Sequence, residues 1–269
     1  MSDVKIRAFS GFVFVTVTVL SILWNKWSFL LLMLIFAYLM VNEFYNLFRK
    51  KGYLPDRFIG ISSAISLTAY GLLCIFGYLP ILFAAFFFPL MSISFVKNLF
   101  QKNNAFVSLA VTYFGVVYTI VPLIFLAYMS FIGGVYNPQP VIGVFVMIWV
   151  NDTFAYLVGR QVGKTKLFES ISPNKTWEGS IGGAIFVMAT AIFFSYLFPI
   201  LTLTDWLVIG VLTAVTGTYG DLVQSKLKRS LEVKDSGSLM PGHGGALDRL
   251  DSLIYSIPFV GSYLILVGY

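Results

Sequence analysis

An all-α polytopic membrane protein of about nine transmembrane helices is the fold the sequence predicts, and three observations predict it. The 269 residues are 58% hydrophobic and 11% charged, about half the charged fraction of an ordinary soluble domain. Apolar stretches of membrane-crossing length recur along the chain, each close to the roughly 20 residues that carry a helix across about 30 Å of hydrocarbon. The basic residues then fall in alternate connections, as one fixed orientation requires.

The predicted spans lie near residues 8–24, 28–48, 58–77, 80–97, 106–132, 139–160, 178–199, 204–225 and 251–269. The first follows Lys5 and Arg7, as a secretory signal would. It ends in Leu23, Trp24, Asn25 and Lys26, with no small-residue cleavage site, and is read as a span. The third and fourth form one apolar block divided around Gly77 and Pro80, which leaves a count of eight or ten open. The fifth holds Pro122 at its middle, a residue that kinks a membrane helix without necessarily breaking it.

With nine spans and a cytoplasmic N-terminus, the C-terminus lies outside and all but one of the 18 Lys and Arg residues face the cytoplasm. The exception is Lys26. This distribution, rather than a nucleic-acid partner, accounts for the net charge of +6. Cys74 is the single cysteine and His243 the single histidine, which excludes an intrachain disulfide and a His/Cys zinc site.

The chain divides by character at about residue 138. Residues 1–138 read as a lipid-facing scaffold of helices with almost nothing reactive; Glu43 is the main acidic exception and is taken as a snorkelling or helix-pairing carboxylate. Residues 139–269 read as the catalytic region, with cytoplasmic loops at 160–177 and 226–250. Asp152 lies about eight residues before Arg160, roughly 12 Å from the helix end, and Asp221 about five before Lys226, roughly 7.5 Å from the same face. Asp248 and Asp251 stand where the ninth span leaves its loop. Four carboxylates from three helices thus meet one leaflet boundary, where an ionised acid needs a counter-charge. Oxygen-only ligation favours a hard ion such as magnesium, and pairing with Lys or Arg is the competing explanation.

The 226–250 loop combines Lys226, Lys228, Arg229, Lys234 and Arg249 with Gly237, Gly242, Gly244 and Gly245. Glycines permit close backbone approach to phosphate oxygens, although a basic juxtamembrane run by itself signals only orientation or anionic lipid. The other loop, GRQVGKTKLFESISPNKTWEG at 159–179, imitates a Walker A motif but has three residues instead of four between Gly159 and Gly163 and follows no strand. Lys164, Lys166 and Lys175 remain available to a polyphosphate. Asn174 heads a glycosylation triplet that a cytoplasmic loop makes irrelevant. Gly179 and Gly183 form a small-xxx-small pair, read as close helix packing.

The run Ser225, Leu227, Lys228, Arg229, Lys234, Asp235, Gly237, Pro241, His243, Gly244, Gly245, Asp248, Arg249, Asp251 resembles the signature of phosphatidate cytidylyltransferases, also called CDP-diacylglycerol synthases. Met240 and Ala246 depart mildly from it. The stretches NDTFAYLVG at 151–159 and SPNKTWEG at 172–179 are similar to the same family, so the resemblance covers roughly residues 140–269. It implies transfer of a cytidylyl group from CTP to phosphatidate within the membrane lipid, with magnesium and an undecided second cation. Asp221 and Asp248 are then the expected metal ligands, with Asp152 or Asp251 completing or orienting the site. Lys226, Lys228, Arg229, Lys234, Arg249 and Lys175 would bind phosphates, with Asn151, Ser225, Gly244 and Gly245 beside them. His243 would either bind phosphate or shape the glycine turn. A homodimer is left open, and the compact length suggests a bacterial cytoplasmic membrane. An ion-coupled transporter is the alternative, but it predicts carboxylates along both leaflets and inverted repeats. A structural protein with a lipid-anchoring loop would need no ordered Gly and Asp spacing.

Overall fold

The structure is a computed structural model that describes residues 3–82, 87–100, 105–237 and 244–269. Nine helices are present among them: α1 (Asp3–Trp24), α2 (Lys26–Arg49), α3 (Arg57–Ile75), α4 (Phe87–Asn98), α5 (Ala105–Met129), α6 (Gln139–Val162), α7 (Trp177–Leu197), α8 (Leu203–Ser230) and α9 (Leu247–Leu266). Two short strands, β1 (Lys166–Phe168) and β2 (Ser172–Thr176), pair as an antiparallel hairpin.

Six helices, α2, α3, α5, α6, α7 and α8, are long and apolar enough to cross a membrane. A helix hides its own N–H and C=O groups, which is what permits such segments to sit in lipid. The helix through Pro122 is continuous. Within the expected span at 80–97, residues 83–86 lie outside the described residues, and the helix described is the 12 residues Phe87–Asn98. At the other end, α8 runs on to Ser230, so Lys226, Lys228 and Arg229 are helical rather than part of a loop beginning at 226. Lys, Arg and Leu are good helix formers, and cations suit a helix C-terminus, so the charge does not stop the helix. α9 begins at Leu247, four residues before the expected start, with Asp248 in its first turn.

The chain packs as two compact units, residues 1–131 with 231–249, and residues 132–230 with 250–269. In the first, α2 is the core helix: Phe29, Met33, Ala37, Met40, Val41, Phe44 and Tyr45 are fully buried. Asn25 caps it by accepting from the N–H groups of Trp27 and Ser28, while Ser28 accepts from Asn25 N–H. Tyr45 donates to the Thr112 carbonyl at 2.7 Å, and a Cβ at Gly115 would lie 2.6 Å from its ring. Only glycine lets α5 come this close to α2.

In the second unit, Trp206 is fully buried against Gly143 of α6, where a Cβ would lie 2.4 Å from the indole. Asp205, near the start of α8, accepts from Thr202, from Tyr263 at 2.8 Å and from Tyr269 at 2.6 Å. Gly179 and Gly183 do serve helix packing: added Cβ atoms would lie 2.6 Å from the Ala155 carbonyl oxygen and 2.7 Å from Asn151 Oδ1. Large apolar side chains on the outside, Phe12, Leu31, Ile185 and Tyr196 among them, are exposed as a lipid-facing surface is.

Candidate active site

The second unit gathers three of the four expected carboxylates, Asp152 on α6, Asp221 on α8 and Asp251 on α9. Asp221, Asp152 and Lys228 all lie close enough to Asp251 to act on it electrostatically. Gly220 makes this approach feasible, since a Cβ there would lie 2.8 Å from the Asp251 carbonyl oxygen. Ser225, one turn along α8, donates its hydroxyl to Asp221 Oδ1 at 3.2 Å.

A cation reaches the group from the hairpin. Lys175 on β2 places Nζ 2.6 Å from Asp221 Oδ2, with both side chains about a third exposed or less. Neighbouring contacts hold the hairpin. Trp177 N–H donates to the Thr165 carbonyl, Thr176 caps α7 by accepting from Gly179 N–H, and Glu178 accepts from the N–H groups of Lys164 and Thr165. Lys166 is turned onto the hairpin itself, 2.6 Å from the Pro173 carbonyl. Asn151 is buried, and its Oδ1 has no hydrogen-bond partner among the described residues.

The first unit holds the signature loop. Asp248 Oδ2 accepts from Ser236 N–H at 2.8 Å, Ser236 Oγ at 2.9 Å and Gly245 N–H at 3.0 Å. Ser236 Oγ also lies 3.1 Å from Glu43 Oε2. Glu43 in turn accepts from the N–H groups of Ala246 and Leu247, each at 2.9 Å. It is 7% exposed and, of the two expectations for it, pairs helices rather than snorkelling: it joins α2 to the N-terminus of α9, where unpaired N–H groups and the helix dipole favour an anion.

The loop glycines answer to these two acids. Gly244 has φ +84°, and a Cβ there would lie 2.5 Å from Asp248 Oδ2; at Gly245 it would lie 2.2 Å from Glu43 Oε2. Their backbone approaches carboxylates of the chain itself. Glu43 is the residue whose importance sequence reasoning missed, and its one signal was an acid in a helix otherwise rich in Phe, Leu and Met. Lys234 and Asp235 are exposed in this loop, and Arg249 follows Asp248 on α9. His243 lies outside the described residues. A cavity of about 1090 Å³ in the same unit is bounded by α2 and residues 233–237.

No three His, Cys, Asp or Glu side chains come together as a ready metal cage among the described residues. The donor chemistry still fits a hard cation. Magnesium is commonly held by one or two carboxylates together with substrate phosphates, and demands no all-protein cage.

A helical fold with six helices of membrane-crossing length, and with acids and lysines gathered within its second unit, defines a class, an integral membrane protein with a charged site. The chain belongs to the cytidylyltransferase family, whose model matches residues 5–267. It is 46% identical over 116 residues to a phosphatidate cytidylyltransferase of Bacillus subtilis, a match covering 43% of each chain. Proteins of the same name from Staphylococcus haemolyticus, 45% identical over 123 residues, and Haemophilus influenzae, 41% over 129, match 45% and 46% of this chain. These matches span 47% and 45% of the relatives, under half of their length. The apolar helices and bacterial relatives identify an integral protein of a bacterial cytoplasmic membrane.

Proposed function

We propose that the chain transfers a cytidylyl group from CTP to phosphatidate. A phosphate oxygen of phosphatidate bonds to the α-phosphorus of CTP, the bond from that phosphorus to the β-phosphate bridging oxygen breaks, and CDP-diacylglycerol and pyrophosphate result. The observation that carries this reading is the meeting of Asp152, Asp221 and Asp251 with Lys175 and Lys228 in a chain of the cytidylyltransferase family. The nucleophile is already ionised, so no general base is required. The barrier is the meeting of two anions, which oriented cations lower in a partly buried site.

Lys175, Lys226, Lys228, Arg229, Lys234 and Arg249 are proposed to take the phosphates. Magnesium, when bound, would supply further positive charge at the phosphates. Asp221 and Asp248 would hold it, with Asp152 or Asp251 completing or orienting the site. Asp248 lies one turn before Asp251 on α9, and its Oδ2 is steadied by Ser236 and Gly245. Nine crossings with a cytoplasmic N-terminus fit the distribution of Lys and Arg. CTP and the phosphatidate head group would then meet at the cytoplasmic leaflet.

The test uses purified protein in detergent with phosphatidate, magnesium and CTP labelled at its α-phosphate. The label should move into a lipid-soluble product only when all three are present. Retention of all label in the aqueous phase, by protein that is folded, would rule the activity out.

A further inference from the structure

The helix read from sequence as scaffold turns a polar face into the cavity of about 1090 Å³. Asn42, Asn46, Arg49 and Lys50 line it and follow one another at helical spacing, so they share one side of α2. Lys234 is also in the lining. Arg49, Lys50 and Lys234 enter no ion pair among the described residues. Asn42 Oδ1 accepts from Arg57, so its amide has N–H donors left to offer. Asn46 makes no side-chain hydrogen bond among the described residues.

The acids on the wall do not cancel this. Glu43 is committed to the backbone of Ala246 and Leu247 and to Ser236, and Asp235 is outnumbered in the lining by Arg49, Lys50 and Lys234. What remains is an excess of hydrogen-bond donors and positive charge, the complement of a phosphate. Leu39, also in the lining, is ten residues before Arg49 and so about 15 Å back along the helix. The lining therefore runs about 15 Å along the helix, from Leu39 to the basic pair Arg49 and Lys50.

We propose that this cavity binds a phosphate-ester anion, with Asn42, Asn46 and Arg49 of α2, Lys50 at its C-cap and Lys234 as donors. The inference rests on the cytidylyl transfer proposed above, because both substrates of that reaction carry such a group. It gives the N-terminal half of the chain a direct part in substrate capture.

The experiment measures binding of short-chain phosphatidate and of CTP, each offered alone, to the purified full chain by titration calorimetry. Wild type is compared with Arg49→Gln and Asn46→Leu. Losing a charge-assisted hydrogen bond should weaken one of the two ligands about tenfold, with the thermal midpoint unchanged. Weakened phosphatidate identifies a lipid head-group site and weakened CTP a nucleotide site. Arg49 is exposed, so its variant remains informative if Asn46→Leu does not fold. Unchanged affinity for both ligands in Arg49→Gln, or no binding of either by wild type, overturns the proposal. Product formation is not the readout, so a wild type that binds but makes no CDP-lipid would refute the activity and leave this site standing.

Discussion

Lys175 Nζ lies 2.6 Å from Asp221 Oδ2, one residue delivered by a hairpin and the other by a membrane helix. The pair brings a mobile-length cation to the one acid that also accepts from Ser225. In the proposed reaction Lys175 would be held in place in this way until phosphate oxygens compete for it.

Replacing Lys175 by Met should therefore lower turnover about 10²-fold, the scale of losing one preorganised charge at a transition state. Arg at this position should recover part of the rate, since charge is kept while the single-point geometry is not. Initial rates with CTP and phosphatidate check this; a Met variant as fast as wild type would confine Lys175 to the fold.

Glu43→Ala removes the acceptor of the buried Ala246 and Leu247 N–H groups, while the Ser236 hydroxyl keeps Asp248 as its partner. A loss of about 3 kcal/mol is expected, because breaking a buried charged network leaves its partners unsatisfied. Glu43→Gln, which keeps an acceptor, should lose less. Denaturant unfolding in mixed micelles measures both, and equal stability of Ala and wild type would contradict the capping role.

Gly183→Val tests the approach of α7 to α6. Its Cβ would lie 2.7 Å from Asn151 Oδ1 and 2.8 Å from the Asn151 carbonyl oxygen. Overpacking of about 1–3 kcal/mol should follow, and Asn151 would shift within the helix that carries Asp152. Both stability and turnover should fall together.

Asp205→Asn serves as the counterpart. Asp205 lies 16 residues before Asp221 on α8, about 24 Å along the axis, and ties Thr202, Tyr263 and Tyr269 together. The variant should melt earlier yet turn over at the wild-type rate below its melting range. Loss of turnover in a fully folded variant would place the chemistry elsewhere.

The helices around the charged site were legible in the sequence because membrane spans announce themselves as long apolar runs, and α6 was expected at 139–160 against the observed Gln139–Val162. The convergence of Asp152, Asp221 and Asp251 was legible for the same reason: counting residues from a basic helix end gives depth. The hairpin was not, since strands of three and five residues containing Pro173, Lys166 and Lys175 carry no alternating apolar pattern. For Glu43 helix pairing was among the expectations, but its partners were not legible, since they are backbone N–H groups more than 200 positions away and backbone donors leave no mark in composition. The end of α8 was misplaced because charge was taken as a boundary, although Lys and Arg extend helices readily.

The most direct test of the central claim is the rate of α-label transfer from CTP to lipid by Asp221→Asn against wild type, at equal folded protein. Asparagine keeps the shape and removes the charge that faces Lys175 and Asp251. The account predicts a fall of at least about 10²-fold with near-wild-type unfolding. A folded variant that transfers label at the wild-type rate would contradict it.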